Sequence, residues 1–343
     1  MSASTKAIRI VIPAYNSGAT IRKCVTAILA SVDLPHPPEI VVVDNGKNSE
    51  IENLLREFPI TLIKRQKSQG AAYARNEGAK DFLNGILVFI DSDVICEKKC
   101  IKELIAPLQQ HLCDATIGNY SQNIEGLSFS QSYKQLYINH IYGRKGLSIK
   151  NDYWTAICAV DAQVFHKLNG FNTNYKKSNG EDQEFGFRLT KNGYHVMPVN
   201  HANGQHHNSY GILNIFKNDY KKGHIAVVNS LENQISLSDN RHSKKQDIIA
   251  VLFANLAFIS LLFIPIHFSF IISYGLFFSL WFMFRFSLSK VFFKYGGVLF
   301  FMKAIFFMYC LDLIRCLCVI TGVLDAKLIN KYSTRRNKQF QYH

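Results

Sequence analysis

Gly85-Ile-Leu-Val-Phe-Ile-Asp-Ser-Asp93 is the stretch on which the reading of this chain turns. Five apolar residues, Ile86 to Ile90, stand between a glycine and two acids, the signature of a short strand buried on both faces. In an open α/β sheet the crevice beyond the carboxyl ends of the strands is where ligands bind. Asp91 and Asp93 emerge there, with Ser92 between them. Two carboxylates one residue apart at the end of an apolar strand need counter-charge, and a hard divalent cation carrying a phosphorylated ligand would supply it. The same three residues are also good composition for a solvated turn, so the rest of the chain has to decide.

Upstream, strand and helix signals alternate. Ile8 to Ile12 is an apolar strand closed by Pro13, and Ala14-Tyr-Asn-Ser17 makes the turn into a helix running to about Ala30. Ile40 to Val43 is a second strand, ending at Asp44-Asn45-Gly46. A short helix over 49–58, a strand over 60–63 and a helix from about Ala71 to Leu83 return the chain to the 86–90 strand. Short connections between buried strands predict a mostly parallel α/β sheet wrapped on both sides, a Rossmann-like nucleotide-binding half. Polar groups then gather on one sheet edge: Pro13, Tyr15 and Asn16 after the first strand, Asp44 after the second, Asp91 and Asp93 after the fourth. Asp44 suits a ribose hydroxyl or a base edge, and Gly70 and Arg75 open a helix whose N-terminus and guanidinium could face phosphate.

Four of these segments carry a resemblance. Val11-Ile-Pro-Ala-Tyr-Asn16, Val42-Val-Asp-Asn45, Gly70-Ala-Ala-Tyr-Ala-Arg-Asn76 and Phe89-Ile-Asp-Ser-Asp93 resemble, in order and spacing, the successive signatures of glycosyltransferase family 2, the GT-A fold. The resemblance implies a nucleotide-sugar donor, UDP-linked by family frequency, with Asp44 near the base and ribose. It implies a divalent cation, Mn or Mg, held on the diphosphate by Asp93, with Asp91 as a second candidate ligand. Gly180-Glu181-Asp182 opens a later helix, where negative charge is favoured. The family places an acidic pair there, which makes Asp182 the expected catalytic base and Glu181 its support on the acceptor side. His206 and His207 follow at the distance where family members place a histidine on the metal or diphosphate; position favours His206, and the doublet leaves the choice open. His195, His201 and His224 read as ordinary surface or core residues. The processive members' Gln-x-x-Arg-Trp motif contains neither Trp154 nor Trp281, so addition of a single sugar is expected.

Composition bounds the rest. A net charge of +14 over 343 residues asks for an anionic partner. No helix-turn-helix, RNP or zinc-finger pattern is present, which leaves phosphorylated substrate and anionic lipid rather than nucleic acid. Eight cysteines show neither a disulfide framework nor paired zinc spacing, and Met1 to Ala7 has no signal-like apolar run, so the soluble part is expected in the cytoplasm.

From Ile248 to Phe284 there is no Lys, Arg, Asp or Glu, enough for two spans of about 20 residues. The expected organisation is a GT-A domain over 1–228, a basic linker over 229–247, spans near 248–265 and 268–285, a third apolar segment over 298–320 and a basic tail over 323–343. Lys303, Asp312 and Arg315 are costly facing lipid, which points to an interfacial or bundle-buried third segment. Basic flanks place both ends of the hairpin inside, giving a multi-pass protein of the cell (inner) membrane with its catalytic domain cytoplasmic. The expected activity is transfer of one sugar, with inversion, to a lipid-linked or envelope-glycan acceptor; the alternative is a non-catalytic nucleotide-sugar-binding membrane scaffold.

Overall fold

A computed structural model describes residues 6–31, 34, 36–46, 50–65, 69–143, 153–174, 180–208, 211–233 and 244–339. The chain divides into two compact units, residues 1–127 with 134–208, and residues 128–133 with 209–343.

The first unit is built on an eight-stranded mixed sheet of order β3-β2-β1-β4-β7-β6-β8-β5. The expected strand–helix alternation is present as β1 (Ile8–Ala14), α1 (Ile21–Ser31), β2 (Glu39–Asp44), α2 (Ile51–Leu55), β3 (Thr61–Lys64), α3 (Ala71–Ala79) and β4 (Ile86–Ile90). These four strands pair in parallel, and every residue of β4 is buried. Beyond β4 the sheet turns mixed: β7 (Ile157–Asp161) is antiparallel to both β4 and β6 (Ala115–Tyr120).

Residues 111–150 contain β6 and α5 (Phe129–Tyr142), while 144–150 lie outside the described residues. Their signals are weak because β6 mixes Thr, Gly and Asn with its apolar residues, and α5 has Ser, Gln and Asn among its tyrosines. Thr116 and Asn119 are nonetheless fully buried, held by side-chain bonds to Leu104 O and Asn139 O.

Two close approaches fix the layers. A Cβ on Gly78 would stand 2.4 Å from Val11 Cγ1, so α3 lies hard against β1. A Cβ on Gly186 would stand 2.3 Å from Tyr153 Cβ, which seats α7 (Glu181–Lys191) equally tightly.

The second unit holds α8 (Ile212–Asn233), α9 (Lys245–Phe263) and α10 (Phe270–Gln339), the last broken at Gly297, where φ is 73°. The unit boundary therefore falls at 208/209 rather than at 228, and helix replaces the expected linker over 229–233 and 245–247. Residues 234–243 lie outside the described residues. α9 and the stretch 270–326 of α10 are long and apolar enough to cross a membrane by length and composition. The two helices are separated at 264–269 around Pro265, and α10 runs on without a stop at 285, taking in the third apolar segment.

Asp312 and Arg315 of the third apolar segment do not face outward. Arg285 donates to Asp312 from Nε (2.9 Å) and Nη2 (2.7 Å), and to Asp247 from Nη1 (2.6 Å). Arg315 reaches Asp312 at 2.9 Å and Asp219 at 2.8 Å, and Trp281 Nε1 donates to Asp312 Oδ2 at 2.9 Å. Three helices thus meet through paired charges, which is how ionised groups survive in apolar surroundings.

Candidate active site

The parallel half of the sheet delivers its strand ends side by side. Ala14 is in register with Asp44, so the loops after β1 and β2 leave together. Ser17 Oγ lies 2.7 Å from Ser92 Oγ and ties the first loop to the one after β4. Asn16 has a positive φ of 52°, a conformation Asn tolerates better than most residues. Tyr15 is 59% exposed, and Pro13 lies near the end of β1 opposite Val43. Asp44 is buried, with Oδ1 accepting from Gly46 N at 3.0 Å. Asn45, which sequence reading left without a role, donates to Gly70 O at 3.1 Å and accepts from Gln69 N at 3.3 Å. It sets the entry to α3, where Gly70 has a φ of 94°.

Arg75 is turned into the protein. It is 3% exposed, and its guanidinium donates to Asp91 Oδ1 at 2.8 Å and to Glu181 Oε1 at 3.2 Å, above the Phe171 ring. The close seating of α3 at Gly78, one turn on, goes with this inward turn of the side chain. Asn76 beside it takes the backbone of Phe171 in both directions, at 2.8 and 2.9 Å.

The two acids of the Asp-Ser-Asp run have separate partners. Asp91 has Arg75; Asp93 Oδ2 lies 3.3 Å from His206 Nε2. Burial raises the Asp91 pKa, reinforced by Asp93 and only partly countered by Arg75. Burial also works to raise Asp93, but the hydrogen bond and charge of His206 outweigh it, and its pKa is lowered. His206 arrives by sheet pairing: β5 (Val94–Cys96) runs antiparallel to the end of β8 (Val196–His206), with Val94 opposite His206. Tyr120 stacks on the imidazole at 4.8 Å, and Gln135 Oε1 accepts from the His206 backbone at 2.9 Å. Neither residue was legible in sequence; the strand β6 and helix α5 that carry them were themselves missed. His207 donates its backbone N–H to Asp93 O at 2.8 Å, while its ring reaches Gln205. Burial, then Lys23 and His206, lower the His207 pKa. Among the described residues no three His, Cys, Asp or Glu side chains converge as a ready metal set.

Gly180, at a left-handed φ of 106°, opens α7 and places the acidic pair in its first turn. Glu181 is 3% exposed, and its Oε2 has no hydrogen-bonding partner among the described residues. Asp182 is half-buried. Arg188 clamps the helix, bonding Glu184 one turn back and the Gly170 carbonyl at 2.7 Å. Cys158, behind Arg75, has its thiol pushed up to about 12 by burial.

Asp93 thus pairs with His206, Asp182 opens α7, and Arg75 links their respective neighbours, Asp91 and Glu181. The model of glycosyl transferase family 2 matches residues 9–168, which include Asp44, Arg75, Asp91 and Asp93. Residues 9–168 are a family 2 glycosyltransferase domain. A second family model, described as the N-terminal domain of galactosyltransferase, matches residues 145–222 and so covers the acidic pair and His206.

The family 2 domain has curated relatives. Glycosyltransferase GlyA of Streptococcus pneumoniae serotype 4 is 29% identical over 140 residues, covering 40% of this chain and 19% of GlyA. Glycosyltransferase AglE of Haloferax volcanii is 25% identical over 124 residues, 35% of this chain and 41% of AglE. The chain therefore spans under half the length of these relatives. Among solved structures, the mannosyltransferase PcManGT of Pyrobaculum calidifontis, in complex with GDP-Man and Mn2+, superposes with a TM-score of 0.55. It covers 94% of this chain and 88% of its own at 12% identity, a likeness of fold, and that fold is GT-A.

Proposed function

We propose that this chain transfers a single sugar, with inversion, from a nucleotide-sugar donor to a lipid-linked or envelope-glycan acceptor at the cytoplasmic face of a membrane. The observation that carries the reading is the division of labour among four carboxylates. Asp91 and Glu181 are held by Arg75, whereas Asp93 stands with His206 and Asp182 is half-buried at the start of α7. Direct displacement at an anomeric carbon needs two such separate stations. One neutralises the departing diphosphate, and the other takes the proton of the attacking hydroxyl.

Asp93 and His206 fit a divalent cation by donor chemistry, since a carboxylate and an imidazole together suit Mn. Asp91, tied to Arg75, belongs to the donor pocket on this reading, and His207, turned to Gln205, is left out. A bound Mn or Mg would supply Lewis-acid stabilisation of the leaving diphosphate. The chain's own residues do the rest. Asp44 and the turn of Tyr15 and Asn16 take the nucleoside, with Gly70 giving the backbone room at the start of α3. Asp182 accepts the acceptor's proton, and Glu181, committed to Arg75, holds the first turn of α7 in place. UDP is the default nucleotide. PcManGT was solved with GDP-Man, so a GDP-sugar belongs in any trial.

The membrane reading rests on α9 and α10. Leu262, Ile266, Phe268 and Ile272 around their junction are 58%, 73%, 75% and 74% exposed, which suits lipid better than water.

The test is nucleoside-diphosphate release by detergent-purified full-length protein over a panel of nucleotide-sugars, with Mn, Mg or chelator. Turnover of one donor, lost with chelator and in Asp93→Ala and Asp182→Ala, is the expected result. Full activity in both correctly folded variants would refute it. Nucleotide-sugar binding without turnover of any donor would favour a scaffold.

A further inference from the structure

We infer that Arg75 is a positioning residue that couples the donor end of the site to the acceptor end, so that occupation of one is felt at the other. The inference rests on the glycosyltransferase reading above and extends it to communication between the two stations.

Three observations carry it. The guanidinium is the shared partner of two carboxylates from distant parts of the chain, Asp91 at the end of β4 (2.8 Å) and Glu181 in the first turn of α7 (3.2 Å). Glu181 and Arg75 are each 3% exposed, so bulk water does not screen the interaction. Neither Glu181 Oε2 nor Arg75 Nε has another hydrogen-bonding partner among the described residues, so each group depends heavily on this one bridge. The neighbouring residue strengthens the case. Asn76 binds both backbone groups of Phe171, whose preceding residue Gly170 is in turn held by Arg188 of α7. Two consecutive side chains of α3 therefore grip the acceptor half, one of them also holding the donor-side acid.

The physical consequence follows from charge. A buried carboxylate, Glu181, and a partly exposed one, Asp91, share one cation. A donor that draws on Asp91, through a ribose hydroxyl or a nearby metal, shifts the guanidinium's balance toward Glu181, next to the base Asp182. A purely structural arginine would stabilise both acids without making either one sensitive to the other.

The experiment is a double-mutant cycle read on nucleotide affinity. Binding of UDP and of GDP, each with Mn, is titrated in the full-length protein and in Asp91→Asn, Glu181→Gln and the double variant. The cycle is then repeated in an Arg75→Met background. With Arg75 present, the double variant should depart from the product of the single effects by about fivefold or more, the range seen for groups in one network. With Met at 75 the effects should multiply. If Arg75→Met does not fold, Arg75→Lys serves, because a single ammonium lacks the fork that spans both acids and should cut the departure to under about twofold. Multiplicative effects in the presence of Arg75 would overturn the inference. So would a departure of unchanged size once Arg75 is replaced. Failure of the wild-type protein to bind either nucleotide would remove the glycosyltransferase reading and the coupling with it, and so is distinguishable from failure of the coupling alone.

Discussion

Replacing Arg285 with methionine would leave Asp247 and Asp312, 6% and 0% exposed, without the cation they share. Three charge-assisted hydrogen bonds disappear, at 2.6, 2.7 and 2.9 Å. Summed singly they would suggest roughly 5–9 kcal/mol, but that overlooks the desolvation the arginine itself no longer pays. Removing one member of a buried ion pair typically costs about 3–5 kcal/mol, a large share of a domain's stability. For a unit of this size that is roughly 6–20 °C in the unfolding midpoint. Trp281 donates to Asp312 Oδ2, so its fluorescence reports on the network; a Trp154→Phe background makes it the sole tryptophan. Lys290→Met, an exposed change on the same helix, should move the midpoint by less than about 2 °C, as surface substitutions do. Arg285→Met combined with Asp312→Leu should cost less than the sum of the two by about 1 kcal/mol or more. A shift for Arg285→Met no larger than that for Lys290→Met would refute the pairing, and so would strict additivity.

Further outcomes follow from the first unit. Gly78→Ala should destabilise by about 1–3 kcal/mol in thermal unfolding, because overpacking against Val11 exceeds the gain in helix propensity of about 1 kcal/mol. Asp182→Asn should lower kcat by about 10²–10⁴-fold with little change in nucleotide affinity, the mark of a lost base. Gln135→Leu and Tyr120→Ala, which release His206 without touching Asp93, should weaken Mn binding by about 10–100-fold in paramagnetic-resonance titrations. Cys158, buried and held at about 12, should resist alkylation by iodoacetamide at pH 8 in the native protein and react once the chain is unfolded.

The parallel half of the sheet was legible because its strands are buried on both faces and read as unbroken apolar runs, as in Ile86 to Ile90. The strand-end residues followed from that, since a parallel sheet collects its carboxyl ends on one edge. What sequence could not show was who partners whom. Arg75 reads as an exposed helix charge or a phosphate ligand until the contact of Gly78 with Val11 fixes the rotation of α3. β6 and α5 were missed because polar residues such as Thr116, Asn119 and Asn139 are buried there and satisfied by hydrogen bonds, which leave no periodic apolar trace. In the second unit the apolar runs gave the helices, and the acids and arginines flagged a buried face; that Asp312 meets Arg285 is a fact of packing alone.

The placement of β5 bears on how the site comes into being during synthesis. β5 follows β4 directly in sequence, yet it lies at the far edge of the sheet with β7, β6 and β8 in between. Its ladder partner β8 ends at His206, so Asp93 acquires its imidazole only after more than a hundred further residues have joined the chain. A nascent chain emerging from the ribosome can assemble β3-β2-β1-β4 early, from local crossovers, while the edge strand waits unpaired. The parallel half of the sheet would thus exist before Asp93 meets His206. Any slip in the register of β8 against β5 would leave a folded-looking protein with Asp93 facing the wrong side chain.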